Sequence, residues 1–258
     1  MRSTATPLAM HFKLSKTQRA ITDEEKWEMK LVPYSNVVGS LMYLMICTRP
    51  DIAHAISTTS RYMADYGRQH WSALKWTLRY LVGADKLGIV FNGEGGVEEV
   101  PLVGYCDSDY AANIDTRRSQ TGCIFTLFGS AICWKSSLQS VVALSTTEAE
   151  YMSLTSAVKE GKWLLGLVSE FGLKQQSISV HCGIINGALC LAKHQTFHER
   201  SKHIDVRLHF IRDEVENGRV KLVKINTAHN PADMLTKPLS KEKFQYYRRL
   251  VSLCATEF

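Results

Sequence analysis

VGYCDSDYAA, residues 103–112, begins as a strand and ends on two aspartates. Side chains alternate along a strand, so Val103, Tyr105 and Asp107 share one face. Strand interiors are poor in Asp. Asp107 therefore reads as a residue at the strand's end, and Asp109, followed by YAAN, as a loop residue. A carboxylate at the tip of a strand asks for a partner elsewhere in the chain.

Working outward, Val100–Cys106, Gly122–Phe128 and Ala131–Lys135 read as three short strands, with Gly129-Ser130 as a tight hairpin. LSTTEAEY (144–151) opens a long helix, since Ser145 and Glu148 have capping-box spacing, and Phe171-Gly172 ends it. Ile178–Cys182 is a fourth strand with a short helix after it. HIDVRLHFIRDEVENG (203–218) is an amphipathic helix with Ile204, Leu208, Ile211 and Val215 on one stripe and Gly218 as its stop. RVKLVKIN (219–226) alternates as a fifth strand, and a last helix covers Lys241–Leu253. The order β-β-β-α-β-α-α-β-α predicts an α/β fold, a mixed five-stranded sheet with flanking helices.

Upstream, to about residue 86, the periodicity is helical: Asn36–Cys47, a new helix from Pro50 and Asp51, and His70–Val82 with Gly83 as its stop. NGEGG (92–96) marks a boundary. The expected organisation is a small helical segment over 1–92 and an α/β domain over 97–258.

Composition narrows the class. At 45% hydrophobic and 22% charged, the 258 residues describe a globular chain. The longest apolar run, SLMYLMIC (40–47), is too short to span a bilayer, and the N-terminus lacks a signal-peptide pattern. Seven cysteines without a C-x-x-C pair argue against a disulfide scaffold or zinc ribbon. They place the chain in an intracellular, reducing compartment, cytoplasm and nucleus not being distinguished. The net charge of +6 sits in residues 193–249, which hold 13 Lys or Arg against 7 Asp or Glu. Such a stretch suits a phosphate backbone.

Three further acids compete as partners of Asp107. Glu150 stands on a helical stripe with Leu154, Ala157, Leu164 and Val168, the side packed on the sheet. Glu148 runs with Thr155, Lys159 and Lys162, the wet side, where a cap explains it. Asp233 lies in AHNPADMLTKP, after the last strand. Asp233 can serve as the charge at a helix start. Glu150 has no such reason, since a carboxylate heading a buried stripe is costly unless paired or ligating a cation. Asp107, Glu150 and Asp233 fall at element ends that can converge on one sheet. Converging carboxylates with no basic partner in sequence reach suit a hard cation.

GYCDSDYA, RRSQTG (117–122), WKSSLQSVVALSTTEAEY (134–151), FHERSKHIDVRLHFIRD (197–213) and PADMLTKPL (231–239) together resemble the ribonuclease H domain of copia-type retrotransposon Pol polyproteins. YSNVVGSLMYLMICTRPDIAHAISTTSRYM (34–63) is similar to the segment joining reverse transcriptase to that domain. The likeness runs from about Pro33 onward and reads as a C-terminal fragment of such a gene. It implies a ribonuclease H-like fold and cleavage of the RNA strand of an RNA–DNA hybrid with two Mg²⁺ (or Mn²⁺) ions. Carried over, the metal-binding and catalytic carboxylates are Asp107, Glu150 and Asp233, the three already selected. The family's further aspartate, at the end of the fourth strand, matches Gly183 in HCGIINGA, and no Asp or Glu occurs between Glu170 and Glu199. This lost ligand predicts weak metal binding and impaired cleavage, or, alternatively, a catalytically dead nucleic-acid-binding or inert remnant. The chain carries no Y-x-D-D centre, protease motif or integrase zinc pattern, so no reverse transcriptase, protease or integrase activity is expected.

His229, just before Asp233, is a candidate for proton transfer. His194, His198, His203 and His209 do not have zinc spacing. Arg117, Arg118, Lys135, Ser145 and Thr146 are candidate contacts to the hybrid's backbone and 2′-hydroxyls. The expected partner is an RNA–DNA hybrid or other nucleic acid, with no membrane and no small-molecule cofactor.

Overall fold

A computed structural model describes residues 2–91, 102–173, 175–183 and 202–255. Helices α1 (Asp23–Lys30), α2 (Tyr34–Cys47), α3 (Ala53–Thr59) and α4 (Arg68–Val82) precede a short strand β1 (Leu87–Ile89). Strands β2 (Leu102–Asp109), β3 (Gln120–Leu127) and β4 (Ser130–Leu138) lead into the long helix α5 (Thr146–Glu170). Then come β5 (Ile178–Cys182), α6 (Lys202–Glu216), β6 (Val220–Lys224), α7 (Lys241–Leu250) and β7 (Leu253–Ala255). The NGEGG turn, the short helix expected after the fourth strand, His194 and His198 lie outside the described residues.

Five strands form the mixed sheet expected from the sequence, in the order β4-β3-β2-β5-β6. The meander β2-β3-β4 is antiparallel, while β5 pairs parallel to β2 and β6 parallel to β5. Two local expectations need correction. The first strand continues through Asp109, which pairs with Gln120, so Asp109 shares the face of Asp107 and is not a loop residue. Ladder pairing with β3 overrides the local resistance of Asp to strand. The hairpin turn is Phe128-Gly129, with φ of 51° and 77° and Leu127 paired to Ser130. Both turn residues take the left-handed backbone that a two-residue hairpin requires.

The two faces of the sheet pack differently. Towards α5 and α6, Cys106, Cys123, Phe125, Ile178 and Val180 meet Leu154, Ala157, Leu164, Val168 and Ile211. Phe125 fits because Gly104 and Gly161 lack side chains. A Cβ on Gly104 would lie 2.5 Å from the Phe125 ring, and one on Gly161 2.8 Å from Ile178. On the opposite face, Ile124 and Tyr105 meet Tyr34, Val38, Ile52, Ile56 and Tyr80 from the N-terminal helices, together with Leu235, Phe244 and Tyr247. Residues from both sides of the NGEGG boundary thus share one core. Strand β1 pairs antiparallel with β7, Leu87 opposite Ala255.

A charged network sits inside that second core. Arg49 grips Asp51 with two hydrogen bonds of 2.9 and 2.7 Å, both side chains buried. The Tyr80 hydroxyl donates to Asp51 at 2.5 Å, and Arg248 of α7 donates to that hydroxyl at 3.0 Å. Among the described residues no helix is long and apolar enough to cross a membrane, and six cysteines are free.

Candidate active site

The site lies at the end of β2. Asp107 is buried there, opposite Gly122 of β3. Gly122 is where the segment Pro231–Leu235, a 3₁₀ turn, rests on the sheet. A Cβ at this position would come within 2.8 Å of Leu235 and Thr236 and 3.0 Å of the Ala232 carbonyl. Its absence lets the turn lie flat and sets Asp233, wholly buried, beside Asp107. Asn230 caps the turn, accepting from the Ala232 N–H, and its amide donates to the Cys106 carbonyl at 2.9 Å. From the other side of the sheet Ser153 of α5 donates to the Asp107 carbonyl at 2.7 Å. The strand end is therefore held by groups from both later segments.

Glu150 enters from the first turns of α5. Burial, and then the Asp107 carboxylate, push its pKa up to about 8, although the Ser108 N–H donates to it. Burial and Asp107 also raise Asp233. Asp107 is thus within electrostatic reach of Glu150, of Asp233 and of Asp109, the last raised by burial and by Asp107 against the pull of Lys237.

Basic partners are present, contrary to the sequence expectation. Lys237 Nζ lies 3.4 Å from Asp107 and 3.3 Å from Asp233, and Lys243 Nζ lies 3.0 Å from the other oxygen of Asp233. Thr236 also donates to Asp107. Lys237 follows Asp233 by four residues, and the 3₁₀ turn folds it back onto both acids. Lys243 arrives on α7. Glu148 is also misplaced by sequence reasoning: it is buried with Thr155, and it accepts from the Leu144 N–H at 2.7 Å as its own N–H donates to Ser145.

Gly183 follows β5 directly, next in line to Cys182, and a Cβ built on it meets no atom of the described residues within 4 Å. His229 is exposed, its Nδ1 2.8 Å from the Tyr246 hydroxyl. Its hydrogen-bond partner is thus on α7 and is not one of the acids. Arg117 and Arg118 are exposed on the loop joining β2 and β3, next to the Asp109–Gln120 pair, with Arg117 at φ 55°. Asp115 ties this loop to the N-terminal segment, accepting from the Ser15 hydroxyl at 2.7 Å and the Lys16 N–H at 3.0 Å. Ser145 and Thr146 are exposed at the start of α5, where the Ser145 hydroxyl already accepts the cap bond. Lys135 pairs with Cys123, on the strand face opposite Asp107. It does not join the acids.

As to a metal, the donors fit in kind: oxygen-only carboxylates, two of them raised by burial and by the charge of Asp107, suit a hard divalent cation. In arrangement they fit it less well. Among the described residues no group of three or more His, Cys, Asp or Glu is gathered closely enough to hold an ion, and Lys237 stands between two of the acids.

No family model matches the chain. It is 49% identical over 249 residues to the retrovirus-related Pol polyprotein from transposon TNT 1-94 of Nicotiana tabacum, covering 96% of this chain and 18% of that protein. It is 39% identical over 221 residues to the Pol polyprotein from transposon RE2 of Arabidopsis thaliana, covering 85% and 15%. The chain thus spans less than a fifth of these relatives' length. Among solved structures, LC11-RNase H1 in complex with RNA/DNA hybrid aligns with 52% of this chain and 93% of its own, at 17% identity and a TM-score of 0.39.

Proposed function

Since the chain belongs to the retrovirus-related Pol polyproteins of copia-type transposons, we propose that it is a ribonuclease H-type domain that binds RNA–DNA hybrid and cleaves its RNA strand only feebly. One observation carries this reading. The Asp107 carboxylate at the end of β2 is felt by both Glu150 and Asp233, while Gly183, directly after β5, carries no carboxylate and a Cβ built on it meets no described atom within 4 Å.

A bound Mg²⁺ held by Asp107, Glu150 and Asp233 would supply positive charge to the attacking water and the leaving oxygen. The chain's own groups do the rest. Thr236 holds the Asp107 carboxylate, Ser153 its carbonyl, and Asn230 the carbonyl of Cys106 just before it. Arg117 and Arg118, on a loop pinned through Asp115, offer charge to the hybrid's phosphates. Without a fourth carboxylate the ion is held by fewer charges, and affinity falls.

The test is cleavage of a labelled RNA–DNA hybrid in Mg²⁺ and in Mn²⁺. The native chain should cut slowly, Gly183→Asp should raise the rate at least about tenfold, and Asp107→Asn should abolish the remainder. Rapid cleavage by the native chain that Gly183→Asp leaves unchanged would refute the role given to position 183.

A further inference from the structure

Two ammonium groups stand among acids that the preceding reading assigns to a metal, and neither has a part in it. We propose that Lys237 is the resident cation of this site: its side chain bridges Asp107 and Asp233 when no divalent ion is bound, and must leave before one can bind. This rests on the assignment of the acids as metal ligands.

The geometry supports a bridge and not a passing surface contact. Lys237 Nζ is 3.4 Å from Asp107 and 3.3 Å from Asp233, whose side chains are 9% and 0% exposed. Its backbone is fixed as well, since the N–H groups of Thr236 and Lys237 both donate to the Asp233 carbonyl at 3.2 Å. The arm starts from a defined place and reaches both acids. Lys237 itself is 30% exposed, so its ammonium has a route into water. Asp233 would not be stranded by that withdrawal, because Lys243 keeps its other oxygen at 3.0 Å.

Charge counting points the same way. Asp107, Asp109, Glu150 and Asp233, if all ionised, carry four negative charges against the two positive charges of Lys237 and Lys243, which leaves two to attract a divalent ion. Withdrawing Lys237 raises this to three. An aspartate at position 183 would have the same effect by addition. Lys237 and Gly183 therefore weaken metal binding by independent routes, one by competition and the other by omission.

The experiment is a Mn²⁺ titration at fixed ionic strength and pH 7, followed by calorimetry and by the paramagnetic resonance of free Mn²⁺. It compares the native chain with Lys237→Gln, Lys237→Arg and Gly183→Asp. Lys237→Gln should tighten binding roughly 10–100-fold, the size of change common when groups contacting metal ligands are altered. Lys237→Arg, which keeps the charge, should match the native chain. A native-like affinity for Lys237→Gln, with tight binding by Gly183→Asp, would overturn the competition and leave the acid assignment standing. Failure of every variant to bind Mn²⁺ would overturn the acid assignment and this proposal with it. Should Lys237→Gln not fold, ¹⁵N-lysine spectra of the native chain serve instead. Saturating Mg²⁺ should release the Lys237 ammonium to rapid solvent exchange, and an unchanged signal would refute the proposal.

Discussion

The two faces of the five-stranded sheet are held by different physics. The face under α5 is apolar: Cys106, Cys123 and Phe125 pack on Leu154, Ala157 and Leu164. The face under the N-terminal helices mixes a core with buried charge, Arg49 on Asp51 and Lys237 between Asp107 and Asp233. Apolar burial is non-directional, so neighbours can relax around a loss. Buried ion pairs are directional, and losing one partner leaves the other unsolvated. Asp107 and Asp233 lie on the face with less tolerance.

The sharpest way to break this contrast is Arg49→Ala. It leaves Asp51, wholly buried, with Tyr80 alone and should cost about 3–5 kcal/mol in urea unfolding. A cost below about 1 kcal/mol would mean that the charged face is no less tolerant than the other. On the apolar face Leu154→Ala should cost about 2–4 kcal/mol through its cavity, with hybrid affinity unchanged once the protein is folded. Gly122→Ala should cost about 1–3 kcal/mol by overpacking against Leu235 and Thr236. Unlike Leu154→Ala, it should weaken Mn²⁺ binding, because the Asp233 turn is lifted from the sheet. The smallest effect concerns pH. Glu150 has a folded pKa near 8 against an ordinary 4.5, so between those values the folded chain binds more protons than the unfolded one, and stability falls as pH rises. In metal-free buffer Glu150→Gln should raise the melting temperature at pH 8 by about 3–6 °C relative to the native chain, and by much less at pH 5. An equal gain at both pH values would remove the burden assigned to Glu150.

What could be read from the sequence follows the same division. Helix α5, its Ser145 cap and its Leu154–Val168 stripe were legible because helical period and capping are local signals. So were the fourth strand and the mixed, five-stranded character of the sheet. The charged face was not. Thr236 reaches Asp107 across 129 residues and Asn230 reaches Cys106 across 124, separations at which periodicity carries no information. Gly122 was read as a strand start, but its need for a bare Cα comes from the turn at 231–236. Asp109 was misjudged because its partner Gln120, not its own propensity, decides where β2 ends. Lys237 could have been noticed: it follows Asp233 by four residues, and a turn that returns on itself brings the two side chains together.

The pairing of β1 with β7 has a consequence for how the protein is made. Among the described residues Leu87–Ile89 pairs only with Leu253–Ala255, and the core around Tyr34, Ile52 and Tyr80 is completed by Phe244, Tyr247 and Leu253. During synthesis the helices α1–α4 emerge ahead of α7 and β7, and that surface stays uncovered until those later elements are translated. Contacts so far apart in sequence slow folding, and apolar surface left open meanwhile invites aggregation. Premature termination anywhere before α7 should therefore yield an insoluble product, and not a smaller folded one.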